Sequence, residues 1–212
     1  MRTYRVKLSG WTASFRHPQF VTGMQPTLPL PPPSTIYGLV AAAMGQWIDP
    51  QLCRLAYVFR HEGKARDLET IYQFNRSNSA KSNVIFREWL TNWELWLYFK
   101  QSKWANAFIE PVFPLLLGRQ QELAHVENVQ PETVILRKTT TTLYGTAVPF
   151  PFWSAAGMVM ALPLVMSAEL PRQAIGVRPW QLIHEPVKLQ HEGIWHDPDL
   201  KHGVYFLGDQ NG

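Results

Sequence analysis

A single cysteine, Cys53, is present among 212 residues. No internal disulfide can form, and no C-x-x-C pair supplies the thiolates of a structural zinc, so the expected compartment is the reducing cytoplasm. No apolar run reaches the roughly 18 residues of a membrane-spanning helix; the longest, Ala155 to Met166, is broken by Pro163. The opening stretch MRTYRVKLSGWTASFR alternates polar and apolar residues, so it does not read as a secretory signal peptide. Also missing are the P-loop spacing G-x-x-x-x-G-K-S/T and the G-x-G-x-x-G, G-x-S-x-G and H-E-x-x-H patterns. Nucleotide hydrolysis and the common hydrolase chemistries lose their best sequence support, and no cofactor is expected. The densest group of possible metal ligands, HEGIWHDPDLKH over 191–202, contains Pro198 and no pair of imidazoles at helical i, i+4 spacing. It is read as a polar hairpin, and no metal site is expected.

Acidic residues are absent from the first 48 positions, which hold Arg2, Arg5, Lys7 and Arg16, while the rest of the chain balances 16 basic against 16 acidic residues. A one-sided basic surface attracts polyanions, so nucleic acid is the first partner to consider. With 46% hydrophobic residues the chain has enough apolar mass for a substantial core.

Period-two alternation over Tyr4 to Phe15 predicts a strand with Gly10 as a bend or bulge. The proline-rich Leu28 to Pro33 must be extended, because proline lacks an amide hydrogen and keeps its predecessor out of the helical region. A helix follows, with Ser34 or Thr35 as its cap, Ile36, Leu39, Val40 and Ala43 on its buried face, and Gly45 as its stop. Its small residues, Gly38 and the alanines at 41 to 43, predict close packing on a sheet. Leu68 to Phe74 and Trp93 to Phe99 are expected to pair as strands. Between them, QFNRSNSAKSNVIFR over 73–87 carries three cations and no acid, which predicts an exposed, mobile basic arm. A short helix over Lys103 to Phe108, a buried strand over Leu115 to Arg119 and a helix starting in Gln120 to Val126 are further expectations. From Val134 onward, short apolar runs punctuated by prolines predict a β-rich half.

The order SFRHPQF, PLPPPSTIYGLVAAAMG, basic arm, FREWL and LLLGRQQELA resembles the CRISPR-associated protein 5 family of the repeat-associated mysterious protein (RAMP) superfamily. The likeness is strongest over 6–46, recurs at 84–99 and 112–124, and fades in the C-terminal third. The resemblance implies an α+β fold: a ferredoxin-like, RRM-related domain over 1–117 with a β-hairpin thumb at about 73–87, then a smaller β-rich domain over 118–212. It also implies a subunit of a type I Cascade, of a type I-B-like kind, that holds the 5′ handle of the crRNA. Its partners would be the backbone subunits, the large subunit, and target DNA near the protospacer-adjacent motif.

Single-stranded RNA is held by cations on phosphates and by planar groups under splayed bases. On this likeness Arg16 and His17, just past the first strand, would meet handle phosphates. Ser34, Thr35 and the helix-start amides would form an anion site, and Tyr37 would stack on or hydrogen-bond the RNA. In the thumb, Arg76, Lys81 and Arg87 would contact the backbone and Phe86 would wedge or anchor; Arg119, Arg137 and Lys138 are further cations. One branch of the family cleaves precursor crRNA with a tyrosine, a lysine and a histidine, so the alternative reading is a metal-independent endoribonuclease using Tyr37 and His17. No Lys-His pair adjoins the LLLGR segment, which favours binding without cleavage.

Overall fold

The computed structural model describes residues 1–20, 23–74, 79–128 and 131–208. The chain runs β1 (Arg2–Ala13), β2 (Met24–Gln25), α1 (Pro33–Met44), β3 (Leu55–Phe74), β4 (Ala80–Phe99), α2 (Ser102–Asn106), β5 (His125–Val126) and β6 (Glu132–Ile135). Strand β4 lies antiparallel between β3 and β1, and β1 pairs on its other side with β5 and β6. Reading across the sheet gives β3, β4, β1, β5, with α1 linking the parallel pair β1 and β3 and α2 linking β4 to β5. That is the βαββαβ ferredoxin-like arrangement. Residues past position 117 thus complete the first sheet.

The C-terminal half adds β7 (Thr141–Leu143), β8 (Thr146–Pro149), β9 (Met158–Leu162), β10 (Val165–Met166), β11 (Ala174–Ile175), β12 (Arg178–Ile183), β13 (Val187–Leu189), β14 (Ile194–Asp197) and β15 (His202–Tyr205). Strand β12 lies between β8 and β9, and three further two-stranded ladders complete this β-rich half. One large core joins Val6, Leu8, Tyr57, Leu95 and Leu97 of the first sheet to Ile36, Leu39 and Val40 of α1 and to Trp180 and Leu182 of β12. Burying each such aliphatic side chain contributes about 1.5–3 kcal/mol.

Strands β3 and β4 are each 20 residues long, far beyond the usual five or so. Their register is continuous from Leu55↔Phe99 to Phe74↔Ala80. Leu68–Phe74 and Trp93–Phe99 are strands as expected, but they do not pair with each other: the first faces Ala80–Phe86, the second Leu55–His61. The expected arm is the outer half of this one hairpin, laddered up to Phe74 and Ala80. Both faces of the outer half meet solvent in places, so its polar stretches carry no alternation that a sequence reading could follow.

Helix α1 buries Ile36, Leu39, Val40 and Ala43 as predicted, and Gly45 ends it in the left-handed region at φ 71°, its N–H donating to Ala41 O. Its start differs from expectation. Pro32 is the cap residue, no side chain caps the helix, and Pro33 occupies the first turn, a position where its missing N–H costs nothing. Gly38 also departs from the close-packing expectation, since a Cβ there would meet nothing within 4 Å. Gly10 does have a packing reason: a Cβ there would collide with the Trp93 indole and lie 2.8 Å from Leu123 O.

The expected strand at Leu115–Arg119 is reduced to a single bridge between Leu116 and Leu123, and where a helix start was expected residues 120–121 form a turn that leads through Leu123 into β5. The buried carboxylate of Glu122 organises that turn, as described below.

The sheet face away from the helices is covered by the β14–β15 hairpin, whose Val204 and Phe206 pack on Ala56, Val58 and Trp96. The hairpin expected over 191–202 is present, but two of its polar residues point inward: Asp197 and His202 are both 0% exposed. Arg60 donates to His202 Nδ1 at 3.1 Å. The neutral imidazole therefore carries its proton on Nε2, which lies 2.7 Å from the Tyr98 hydroxyl. Tyr98 in turn donates to Asp197 Oδ2 at 2.6 Å, and Arg5 donates to the same oxygen at 2.7 Å. Asp197 Oδ1 accepts the backbone N–H groups of Asp199 and Leu200, closing the hairpin turn. Burial pushes the His202 pKa down to about 3.

Candidate nucleic-acid interface

Three loops meet where the long hairpin leaves the sheet. The chain leaving β1 is zipped to the segment before α1: Phe15 N–H donates to Thr27 Oγ1 at 2.8 Å, Leu28 N–H donates to Phe15 O at 2.8 Å, and Arg16 bridges Thr27. Just upstream, β2 adds in parallel to β4 at Phe86 and Arg87. The third loop is the Gly118–Arg119 turn. Together they enclose a cleft of about 450 Å³ lined by Ser14, Arg16, Thr35, Arg87, Glu88 and Arg119, among others.

Among the described residues the lining carries three arginines and one carboxylate. That carboxylate, Glu88, is already occupied by Lys64 at 2.6 Å, by Arg66 at 3.5 Å and by the Thr27 N–H at 3.3 Å. Burial would raise its pKa, but these partners outweigh burial and hold it below the usual value. Arg119 is lowered from the usual arginine value by burial and then by the nearby Arg87 cation. Two guanidinium groups held close together and partly desolvated favour an anion between them. The Glu69 carboxylate now lies against both, paired with Arg87 and 3.9 Å from Arg119 Nη1.

Of the residues singled out in the sequence, Arg16, Thr35, Arg87 and Arg119 come together here. His17 follows Arg16, with its ring edge-on to Phe20 at 5.0 Å. Ser34 lines a separate groove along α1. The helix start offers a poorer anion site than expected, because Pro33 has no N–H and the Thr35 and Ile36 N–H groups donate to Pro32 O at 2.9 and 3.4 Å. Lys81 is exposed opposite Gln73 near the hairpin tip. Phe86 is half-exposed, paired with Leu68 and flanked by Arg66. Arg76 lies outside the described residues. Arg137 and Lys138 sit beside the C-terminal hairpin instead: Arg137 bridges His196, and Lys138 lies over Trp195 at 4.0 Å and donates to Glu192 O.

Tyr37 is corrected outright. It is 0% exposed, its hydroxyl donates to Cys53 O at 3.2 Å, and burial pushes its pKa well up. It packs in the core and can neither stack on a surface base nor serve as an acid for a bound phosphodiester. The residue that sequence reasoning passed over is Glu122, 2% exposed within the recognised LLLGRQQELA segment. The glycine-arginine turn just before it was the available signal.

The class the structure defines is a ferredoxin-like sheet with one greatly extended hairpin and an arginine-lined cleft at its base. A family profile described as CRISPR-associated protein (Cas_Cas5) matches residues 3–83, which span β1, α1, β3 and the start of β4. Over that segment the chain is similar to the CRISPR-associated protein 5 family. No curated protein sequence matches it. Among solved structures, a chain of a "CRISPR RNA-guided surveillance complex" superposes with a TM-score of 0.59 at 16% identity, covering 89% of this chain and 91% of that one. A chain of a "Type III-B Cmr-beta bound to cognate target RNA" gives a TM-score of 0.59 at 12% identity, covering 87% and 86%. At these identities the likeness establishes the shared fold. No helix of the described residues is long and apolar enough to cross a membrane.

Proposed function

We propose that this chain is a non-catalytic crRNA-binding subunit of a type I Cascade. It holds the repeat-derived 5′ handle, caps the backbone filament and contacts the large subunit near the protospacer-adjacent motif of the target. The observation that carries the reading is the convergence of Arg16, Arg87 and Arg119 on one cleft at the hairpin base, with the lone lining carboxylate already neutralised. Single-stranded RNA suits such a cleft, since several fixed guanidinium groups can each take a phosphate. The family-profile match over residues 3–83 and the RNA-guided complex among the structural neighbours support the same assignment. Binding without cleavage is supported by the burial of Tyr37, which removes the tyrosine of the alternative endoribonuclease reading. A cytoplasmic ribonucleoprotein is the matching setting.

Purification of the tagged chain from cells expressing its neighbouring CRISPR proteins tests this directly. A particle with a repeated backbone subunit and one small RNA starting with a common handle is expected. The chain recovered alone and free of RNA would overturn the reading. Incubation of the pure protein with repeat RNA in EDTA should leave the RNA intact, and site-specific cleavage would restore the enzyme alternative.

A further inference from the structure

Acidic side chains beside an anion-binding cleft ordinarily oppose binding, and besides Glu88 two more, Glu69 and Glu122, stand near its arginines. They hold different positions. Glu69 is half-exposed on the hairpin and touches only the Arg87 and Arg119 guanidinium groups among the contacts described. Glu122 is buried, and its Oε2 collects three donors: Ser14 N–H at 3.1 Å, Ser14 Oγ at 2.9 Å and Arg119 N–H at 2.6 Å. Its own backbone closes the same turn, with Glu122 N–H donating to Arg119 O at 3.0 Å and Leu117 N–H donating to Glu122 O at 2.9 Å. Gly118 makes room for this arrangement. At φ 136° it adopts a conformation that residues with a side chain avoid, and a Cβ there would collide with the Glu122 carboxylate and lie 2.7 Å from Ser14 O.

Resting on the RNA-binding reading, we infer that Glu122 is the positioning residue of the cleft: its carboxylate ties the Gly118–Arg119 turn to the end of β1 and so sets Arg119 beside Arg87 and Arg16. Bonds from backbone N–H groups to a buried carboxylate are charge-assisted and directional. Losing that acceptor leaves the Ser14 and Arg119 N–H groups without a partner in a site with little water, and the turn relaxes. The carboxylate thus favours anion binding through geometry while opposing it through charge.

The two effects have opposite signs, which makes the inference decidable. Equilibrium binding of a fluorescein-labelled, repeat-derived single-stranded RNA is measured by anisotropy at several salt concentrations for wild type, Glu69→Gln, Glu122→Ala and Glu122→Gln. Glu69→Gln reports charge alone and should bind about two- to fivefold tighter. Glu122→Ala should bind about tenfold weaker despite losing a negative charge. Its salt slope should fall by about 0.7, corresponding to one lost phosphate contact. Glu122→Gln keeps an acceptor oxygen and should recover most of the affinity.

Circular dichroism and thermal melting identify any variant that has simply unfolded. For a Glu122→Ala protein that melts below the assay temperature, hydrogen exchange on Glu122→Ala held below its own melting temperature takes the place of binding. Faster exchange limited to Ser14 and residues 117–122 supports the inference, and unchanged protection there overturns it. Glu122→Ala binding as tightly as Glu69→Gln also overturns it, leaving the RNA-binding reading intact. A wild-type protein that fails to bind the RNA overturns both.

Discussion

Acidification should destabilise this protein through one buried histidine. His202 is fully buried and held neutral by the Arg60 guanidinium on Nδ1 and the Tyr98 hydroxyl on Nε2. Burial, with the Arg60 and Arg5 cations adding to it against the opposing Asp197, places its pKa at about 3. In the unfolded chain a histidine titrates near 6.5. Below pH ~6.5 the unfolded state therefore takes up a proton that the folded state refuses until about pH 3. Stability falls with pH across that window by about 1.4 kcal/mol per unit. Between pH 6.5 and 4.5 the loss is about 2–3 kcal/mol, a large share of the 5–15 kcal/mol typical of a folded domain. Asp197, whose pKa is lowered below its usual 3.8, contributes stability that persists above that value and is lost only as pH falls further, so it does not act in this window. Urea unfolding followed by tryptophan fluorescence at pH 7, 6, 5 and 4.5 measures the slope for wild type and for His202→Gln. The variant should be less stable at pH 7 but lose about 1.4 kcal/mol less per pH unit. Equal slopes in the two proteins would refute the reasoning, because the remaining histidines are common to both.

The two acidic partners of Arg5 should differ sharply. Asp197→Ala leaves a buried guanidinium without its main anion and should cost about 3–5 kcal/mol, whereas Glu132→Gln, at a side chain 45% exposed, should cost less than about 1 kcal/mol; chemical denaturation reads both. Gly38→Ala should stabilise the protein by about 0.5–1 kcal/mol, since the position is mid-helix, exposed and open, and a lower melting temperature would contradict this. Tyr37→Phe should leave RNA affinity unchanged while costing about 1 kcal/mol for the lost bond to Cys53 O, as measured by anisotropy and urea unfolding side by side.

Local periodicity was a reliable guide where one face of an element is buried. The first strand, helix α1 with its glycine stop, the extended proline run and the β-rich second half all follow from it, because burying a stripe imposes a repeat on the chain. Periodicity failed along the outer hairpin, where no buried face imposes one, and at 115–124, where a side-chain carboxylate organises the backbone. The helix start was misjudged for a related reason: Ser34 and Thr35 are good caps by composition, but the preceding prolines already carry the chain into the helix.

The candidate site divides the same way. That nucleic acid is the first partner to consider was legible from an acid-free opening segment with Arg16 and from the basic arm, since net charge of one sign is a property of composition. Which cations act together was not. Arg16, Arg87 and Arg119 are far apart in the chain and meet because β1 and β4 pair and the Gly118 turn folds back on Ser14. The same reading grouped Arg137 and Lys138 with them, and the fold carries those two to the C-terminal hairpin. Tyr37 looked available because an aromatic on a first helical turn has no burial signal of its own; the Cys53 carbonyl and the surrounding core decided its fate.

By itself, then, the sequence determined the elements that bury one face, the family likeness and the sign of the charge, all of which depend on residues near one another in the chain. Only the tertiary structure decided that Glu122 ties the Arg119 turn to Ser14, that Tyr37 is core, and that Asp197 and His202 are sealed under a hairpin with Arg5, Arg60 and Tyr98. Those outcomes rest on hydrogen bonds and desolvation between residues up to 192 positions apart, which no local pattern records.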